Sequence, residues 1–226
     1  MFIHESPVEL PKQNVRTFYE DGLRFYDTEN GKYPSITSIL SANPEKKKSL
    51  ARWRARVGDV EANRISKFAS GRGTVVHKIC ENYLNNEGEA IKGEMPDAIE
   101  MFNTLKPILD ESLDKIYAQE VALWSDRFQV AGRVDCIAEW DGVPVVLDFK
   151  TSSKPKRKEW VEDYFIQCAA YAAMFYEMTG IPIKDMVIAI MVEGTEPQIF
   201  KEKVGPWILQ LDRRIKQFNE IYKNNN

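Results

Sequence analysis

The hydrophobic period changes in the middle of the chain. Residues 97 to 113 place Ile99, Phe102, Leu105, Ile108 and Leu109 near helical spacing, with Pro107 expected to kink the helix. Beyond them, "KIYAQEVALW", "RFQVAGRVDCIAEW" and "VPVVLDFKT" read as strands, with turns at Ser125-Asp126 and Asp141-Gly142. The helical pattern returns over residues 159 to 179 and stops at Gly180, with Pro182 beyond it. A buried strand "KDMVIAIMVEG", a shorter one "PQIFKEKV" and a closing helix "PWILQLDRRIKQFNEIYK" follow. Toward the N-terminus, "RTFYEDGLRFYDT" has the form of a hairpin around Asp21-Gly22. "EKKKSLARWRARV" reads as a basic helix entered through Pro44, with a break near Gly58 or Asp59. Ser70 can cap a further helix from about Thr74 to Leu84, introduced by glycines, and "NNEGEAIKGEMP" is a loop. This order predicts an α/β fold with a mixed sheet and an added helical lobe. At 226 residues the chain is expected to be a single domain, with 1–69 a hairpin and helical elaboration and 70–226 the core.

Composition narrows the class. Apolar residues at 43% can build a core, and charged residues at 29% keep the surface wet, so a soluble protein is expected. No apolar run approaches the roughly 18 residues of a membrane span, and no membrane partner is expected. The start "MFIHESPVELPKQ" has neither signal-peptide nor transit-peptide character. The expected location is therefore the cytoplasm of a bacterium or a phage-infected cell rather than the mitochondrial matrix. Cys80, Cys136 and Cys168 are far apart with no CxxC, which predicts buried reduced thiols and no iron–sulfur cluster held by this chain alone. With a net charge of −3, any binding of nucleic acid must rest on local positive charge.

A two-residue turn at Asp141-Gly142 fixes a register in which facing residues sum to 283. Asp135 then lies opposite Asp148, and Arg133 opposite Lys150. Alternation puts Val134, Cys136, Ala138, Val143, Val145, Leu147 and Phe149 on one apolar face. Arg133, Asp135, Glu139, Asp148 and Lys150 fall on the other, and Glu120 joins them if the register continues through Ser125-Asp126. Two carboxylates facing each other repel. A divalent cation between them, Mg²⁺ or Mn²⁺, would reverse that penalty. The alternative is a solvated polar face with an Arg133–Asp148 or Asp135–Lys150 pair. His77, one turn beyond Gly73, could add a nitrogen ligand. Trp160, Tyr164, Gln167, Tyr171 and Phe175 form a stripe at helical spacing, in which Gln167, if buried, needs a partner such as Lys150 or a substrate phosphate.

"GTVVH", "GRVD", "LDFKTSSK" and "QCAAY" resemble, in order and spacing, the motifs of RecB-type nucleases of the PD-(D/E)XK superfamily. Within it the chain looks most similar to the mitochondrial genome maintenance exonuclease family and its phage and bacterial relatives, through "YPSITSIL", "RW", "DCIAEWDG" and "DFKTSSKPK". The resemblance implies a restriction-endonuclease-like mixed sheet flanked by helices. It implies His77, Asp135, Asp148 and the Phe149 carbonyl as metal ligands, with Glu120 matching a further acidic position. Lys150 becomes the catalytic lysine, supported by Gln167 and Tyr171. The namesake Pro-Asp is absent, since Val134 precedes Asp135.

Two basic segments carry aromatics: Arg52, Trp53, Arg54 and Arg56 in the first, and Lys154, Lys156, Arg157, Lys158 and Trp160 in the second. Charges that follow phosphates and rings that stack on bases suit single-stranded DNA. The expected function is a metal-dependent, end-dependent exonuclease on single-stranded DNA in replication, repair or recombination. It would act as a monomer, with replication or recombination proteins as further partners. A flap or branch endonuclease and a non-catalytic DNA-binding module of the same fold are the alternatives.

Overall fold

The computed structural model describes residues 1–10 and 15–225. Two sheets form. The smaller is an antiparallel meander of β2 (Arg16–Glu20), β3 (Leu23–Asp27) and β4 (Lys32–Pro34). The larger joins β1 (Ile3–His4), β5 (Leu113–Ser125), β6 (Val130–Trp140), β7 (Val143–Ser152), β8 (Asp185–Val192) and β9 (Gln198–Lys203), in that spatial order. The β1–β5 and β7–β8 pairs are parallel and the others antiparallel, so the sheet is mixed as expected.

Both predicted hairpins close as the sequence requires. Asp21 and Gly22 have φ of 50° and 75°, and Asp141 and Gly142 have 51° and 75°. Left-handed backbone at both central residues is the signature of a type I′ turn, which is why Asp-Gly stands at each. The β6–β7 register follows the predicted sum from Trp140↔Val143 to Cys136↔Leu147 and ends there. Beyond Leu147, β7 continues only against β8, as far as Ser152↔Val192. The β5–β6 turn is longer than predicted, because the ladder closes at Ser125↔Val130. Relative to a turn at Ser125-Asp126, this moves the register by an even number of residues, so Glu120 keeps its face.

Helices cover both faces of the large sheet. On one lie α3 (Asp59–Leu84) and α4 (Pro96–Ser112), the latter unbroken through Pro107. Their Val76, Ile79, Cys80, Leu84, Phe102, Leu105 and Leu109 pack on Cys136, Ala138, Val145, Leu147 and Phe149. On the other lie α1 (Ile36–Ser41), α5 (Glu162–Thr179) and α6 (Gly205–Asn225). Ile36, Phe165, Ala169 and Leu211 from these helices pack on Ile137, Val146, Ile188 and Ile190. The face read as polar is thus a second core, which rules out the solvated face weighed as the alternative. Asp135, Asp148 and Lys150 stand at its end, and Val134 belongs to this cluster rather than the first.

Three further expectations are corrected. The helix foreseen from Thr74 begins at Asp59 and runs through Ser70, Gly71 and Gly73, so Ser70 caps nothing. The boundary drawn between residues 69 and 70 therefore falls inside α3. The break at Gly58 does occur, with φ of 85° between α2 (Pro44–Val57) and α3. Trp160 lies outside α5, on a 3-10 turn at Lys158–Trp160 that precedes the helix. The hydrophobic pattern marks neither β1 nor β4. Among the described residues no helix is long and apolar enough to cross a membrane.

Candidate active site

The acids come together where β6 and β7 separate. With the ladder ended at Leu147, the Phe149 N–H has no strand partner on that side, and it donates to Asp135 Oδ2 at 2.8 Å. A side chain thus replaces a backbone acceptor, and Asp135 is held against β7. From α3, His77 brings Nδ1 to 3.5 Å from the same Asp135 oxygen. Glu120, on β5, has a left-handed φ of 51°. His77, Glu120 and Asp135 each offer a ligand atom, and these atoms lie within 4.8 Å of one another.

Asp148 sits behind this group, fully buried. One of its oxygens pairs with Lys150, two residues along the same strand, and Oδ1 is buried with no hydrogen-bond partner. A buried carboxylate oxygen left unpaired costs free energy unless a ligand satisfies it. His77, Glu120 and Asp135 offer one imidazole and two carboxylates, a set that fits a hard divalent cation with mixed nitrogen and oxygen coordination.

Proton affinities follow the crowding. Burial, with the charges of Asp135 and Glu81, pushes Glu120 up to about 7. Burial lifts Asp148 to about 6, against the pull of Lys150. Asp135 moves the other way: burial would raise it, but His77, Lys150 and the Phe149 N–H hold it below the usual carboxylate range. Burial would lower His77, and Asp135 more than offsets this, so its affinity rises. For Lys150, burial favours the neutral amine, but Asp148 and Asp135 prevail and keep it protonated.

A cleft of about 660 Å³ opens over the group. His77, Glu120, Asp135, Lys150, Gln167 and Tyr171 all line it. Lys150 Nζ is 3.3 Å from the Phe149 carbonyl oxygen and 5.1 Å from the centre of the Tyr164 ring. The cross-strand pairs weighed from the sequence do not form. Lys150 pairs with Asp148 on its own strand, and Arg133 donates to the Glu120 carbonyl at 2.8 Å. Gln167 does not reach Lys150 either; its Nε2 donates to the Tyr171 hydroxyl at 3.0 Å.

The two basic segments sit apart from the acids. α2 buries none of its residues, and neither Arg52, Trp53, Arg54 nor Arg56 lines the cleft. Arg54 is tied to Asp59 and Asn63. Of this helix only Lys46 reaches the cleft, paired with Asp163. In the second segment Lys154, Arg157 and Lys158 are exposed. Lys156 is clamped through its backbone by the Gln198 amide, and Lys158 pairs with Glu202. Trp160 is 65% exposed with the Arg157 guanidinium 5.4 Å from its ring centre, a surface suited to stacking. Arg24, Thr37 and Tyr164 line the cleft without having been singled out for a role. Arg24 arrives through the docking of the small sheet and Thr37 on the α1 helix that follows it, and no local sequence signal marks that event.

Residues 46–205 match the family model of the PD-(D/E)XK nuclease superfamily. Over 129 residues the chain is 31% identical to mouse mitochondrial genome maintenance exonuclease 1, covering 54% of this chain and 38% of that protein. Over 214 residues it is 22% identical to the human protein of that name, covering 85% and 60%. An ATP-dependent helicase/nuclease from Clostridium botulinum is 33% identical over 116 residues, covering 51% of this chain and 8% of its own length. The chain thus spans from less than a tenth to three fifths of these relatives.

Proposed function

The chain belongs to the PD-(D/E)XK nuclease superfamily, and from that premise we propose that it is a metal-dependent exonuclease on single-stranded DNA. The observation that carries the reading is the buried Asp148, with Lys150 on one oxygen and nothing on the other, behind a cluster of His77, Glu120 and Asp135. The four side chains would hold Mg²⁺ or Mn²⁺. When bound, the ion supplies a positive centre for the scissile phosphate and lowers the pKa of a coordinated water.

The chain's own groups do the rest. Lys150, kept protonated, offers N–H donors to a non-bridging phosphate oxygen as charge builds on it. Asp148 and the Tyr164 ring fix where that ammonium points. Asp135 holds His77 and the Phe149 N–H together, so the cluster is set before substrate arrives.

The single-strand preference rests on Trp160 with Arg157 and on the basic, aromatic α2, which follow phosphates and stack on bases without reading sequence. The names of the mouse and human relatives point to genome maintenance, and replication, repair or recombination is the corresponding setting here. Lys150→Ala and Asp148→Ala should each lower cleavage of an end-labelled single strand by about 100-fold or more while leaving DNA affinity within a few-fold. Full cleavage by either purified variant would overturn the assignment of the site. Covalently closed single-stranded circles should survive; their degradation would replace the exonuclease with an endonuclease.

A further inference from the structure

Five cations line the catalytic cleft: Arg24, Lys46, Lys78, Arg133 and Lys150. Three of them are neutralised. Lys46 pairs with Asp163, Lys78 with Glu81 at 3.1 Å, and Lys150 with Asp148. Arg24 and Arg133 form no ion pair among the described residues, and their guanidinium hydrogen bonds go to neutral oxygens. Arg24 Nη2 donates to the Thr37 hydroxyl at 3.1 Å, and Arg133 Nη1 to the Glu120 carbonyl at 2.8 Å. Most donors of each fork have no partner among the described residues, in a cleft that also carries the carboxylates of Glu81, Glu120, Asp135 and Asp163.

The two guanidiniums come from different sheets and are brought together by a short bridge. The Arg24 backbone is locked to the start of α1: its N–H donates to Ser38 Oγ at 2.8 Å, and its carbonyl accepts from the Ser35 N–H at 2.8 Å. Ser35 itself pairs with Ala131 of β6, two residues from Arg133. Both positive charges act on the Tyr26 hydroxyl, which burial otherwise pushes up. The Arg24 guanidinium itself lies 5.6 Å from the centre of that ring, so its head is held there as well. A planar fork held through one terminal nitrogen, with further donors to spare, suits a phosphodiester better than a flexible ammonium does.

We propose that Arg24 and Arg133 form a backbone clamp that grips phosphates of the strand beside the scissile one, and that the N-terminal meander exists to present half of it. This rests on the nuclease reading but concerns grip rather than chemistry. The test is binding of an end-labelled oligothymidine in chelator, where no cleavage occurs, across a salt series. Arg24→Ala and Arg133→Ala should each weaken binding about tenfold and make the slope of log affinity against log salt about 0.7 less steep. Arg24→Lys should restore the slope, which a variant with a merely damaged sheet would not do.

Unchanged affinity and slope in both alanine variants, with the wild type binding the oligomer, would overturn the clamp and leave the nuclease reading standing. A wild-type protein that binds duplex and not the single strand would overturn the single-strand reading instead. The same variants on duplex then decide the clamp by the same two criteria.

Discussion

A Cβ placed on Gly132 would lie 2.7 Å from Tyr171 Cε1 and 3.2 Å from Ile36 Cγ2. The glycine of "GRVD" is therefore where the ring of α5 passes over β6, one residue before Arg133 and three before Asp135. Gly132→Ala should destabilise by about 1–3 kcal/mol as the ring is forced aside, read as a lower midpoint in denaturant unfolding. A variant with wild-type stability would show that the ring moves freely. The motif was visible in the sequence, but its reason was not, because the obstructing atom belongs to a residue 39 positions away. Asp148 and Lys150 were legible for the opposite reason: their shared face follows from parity across a turn whose type Asp141-Gly142 dictates. Parity does not carry to Asp135, because the ladder ends at Cys136↔Leu147 and Val134 changes cluster; no Asp135–Asp148 pair forms, and the Asp135 side chain accepts from the Phe149 N–H instead.

Elements were legible where local chemistry decides them and lost where packing does. Gly71 and Gly73 read as the approach to a helix, yet α3 passes through both, with Arg72 buried between them against Glu193 at 2.7 Å. A Cβ at Gly71 would meet nothing within 4 Å, so Gly71→Ala should stabilise the helix by about 0.5–1 kcal/mol. A raised thermal midpoint checks it; an unchanged or lower one would mean that the helix is not continuous there. The β5–β6 turn was misjudged because its partner lies on α5. The Glu177 carboxylate accepts from Ser125 Oγ at 2.5 Å and from the N–H groups of Asp126 and Arg127 at 2.9 and 3.1 Å. Asp126 in turn accepts from the Tyr33 hydroxyl and the Asn30 amide. One acidic side chain thus shapes the loop on which the small sheet rests, and no reading of residues 125–130 alone contains it.

For the whole molecule, the second buried face matters most. Alternation in β6 and β7 was read as apolar against polar, but Ile137 and Val146 interrupt the charges, and α5 covers them. The acids are consequently placed at the rim of a core rather than on open surface. Burial there sets Glu120 near 7 and Asp148 near 6. A cation that binds only the folded chain must then stabilise it. Mg²⁺ or Mn²⁺ at about 100 times its dissociation constant should add about 2.7 kcal/mol. Thermal unfolding with and without chelator measures this, and Glu120→Ala should lose much of the shift. An ion-independent midpoint in the wild type would count against the site.

The hydrogen bond from the Phe149 N–H to Asp135 has an evolutionary corollary. On the proposed reading Asp135 would be at once a ligand and the rung that holds two parting strands together. Losing the charge need not break the rung, since an amide oxygen accepts the same bond, whereas losing the side chain breaks both. A descendant lineage released from catalysis should therefore drift to asparagine at this position well before alanine, and its inactivity would be written in a single atom.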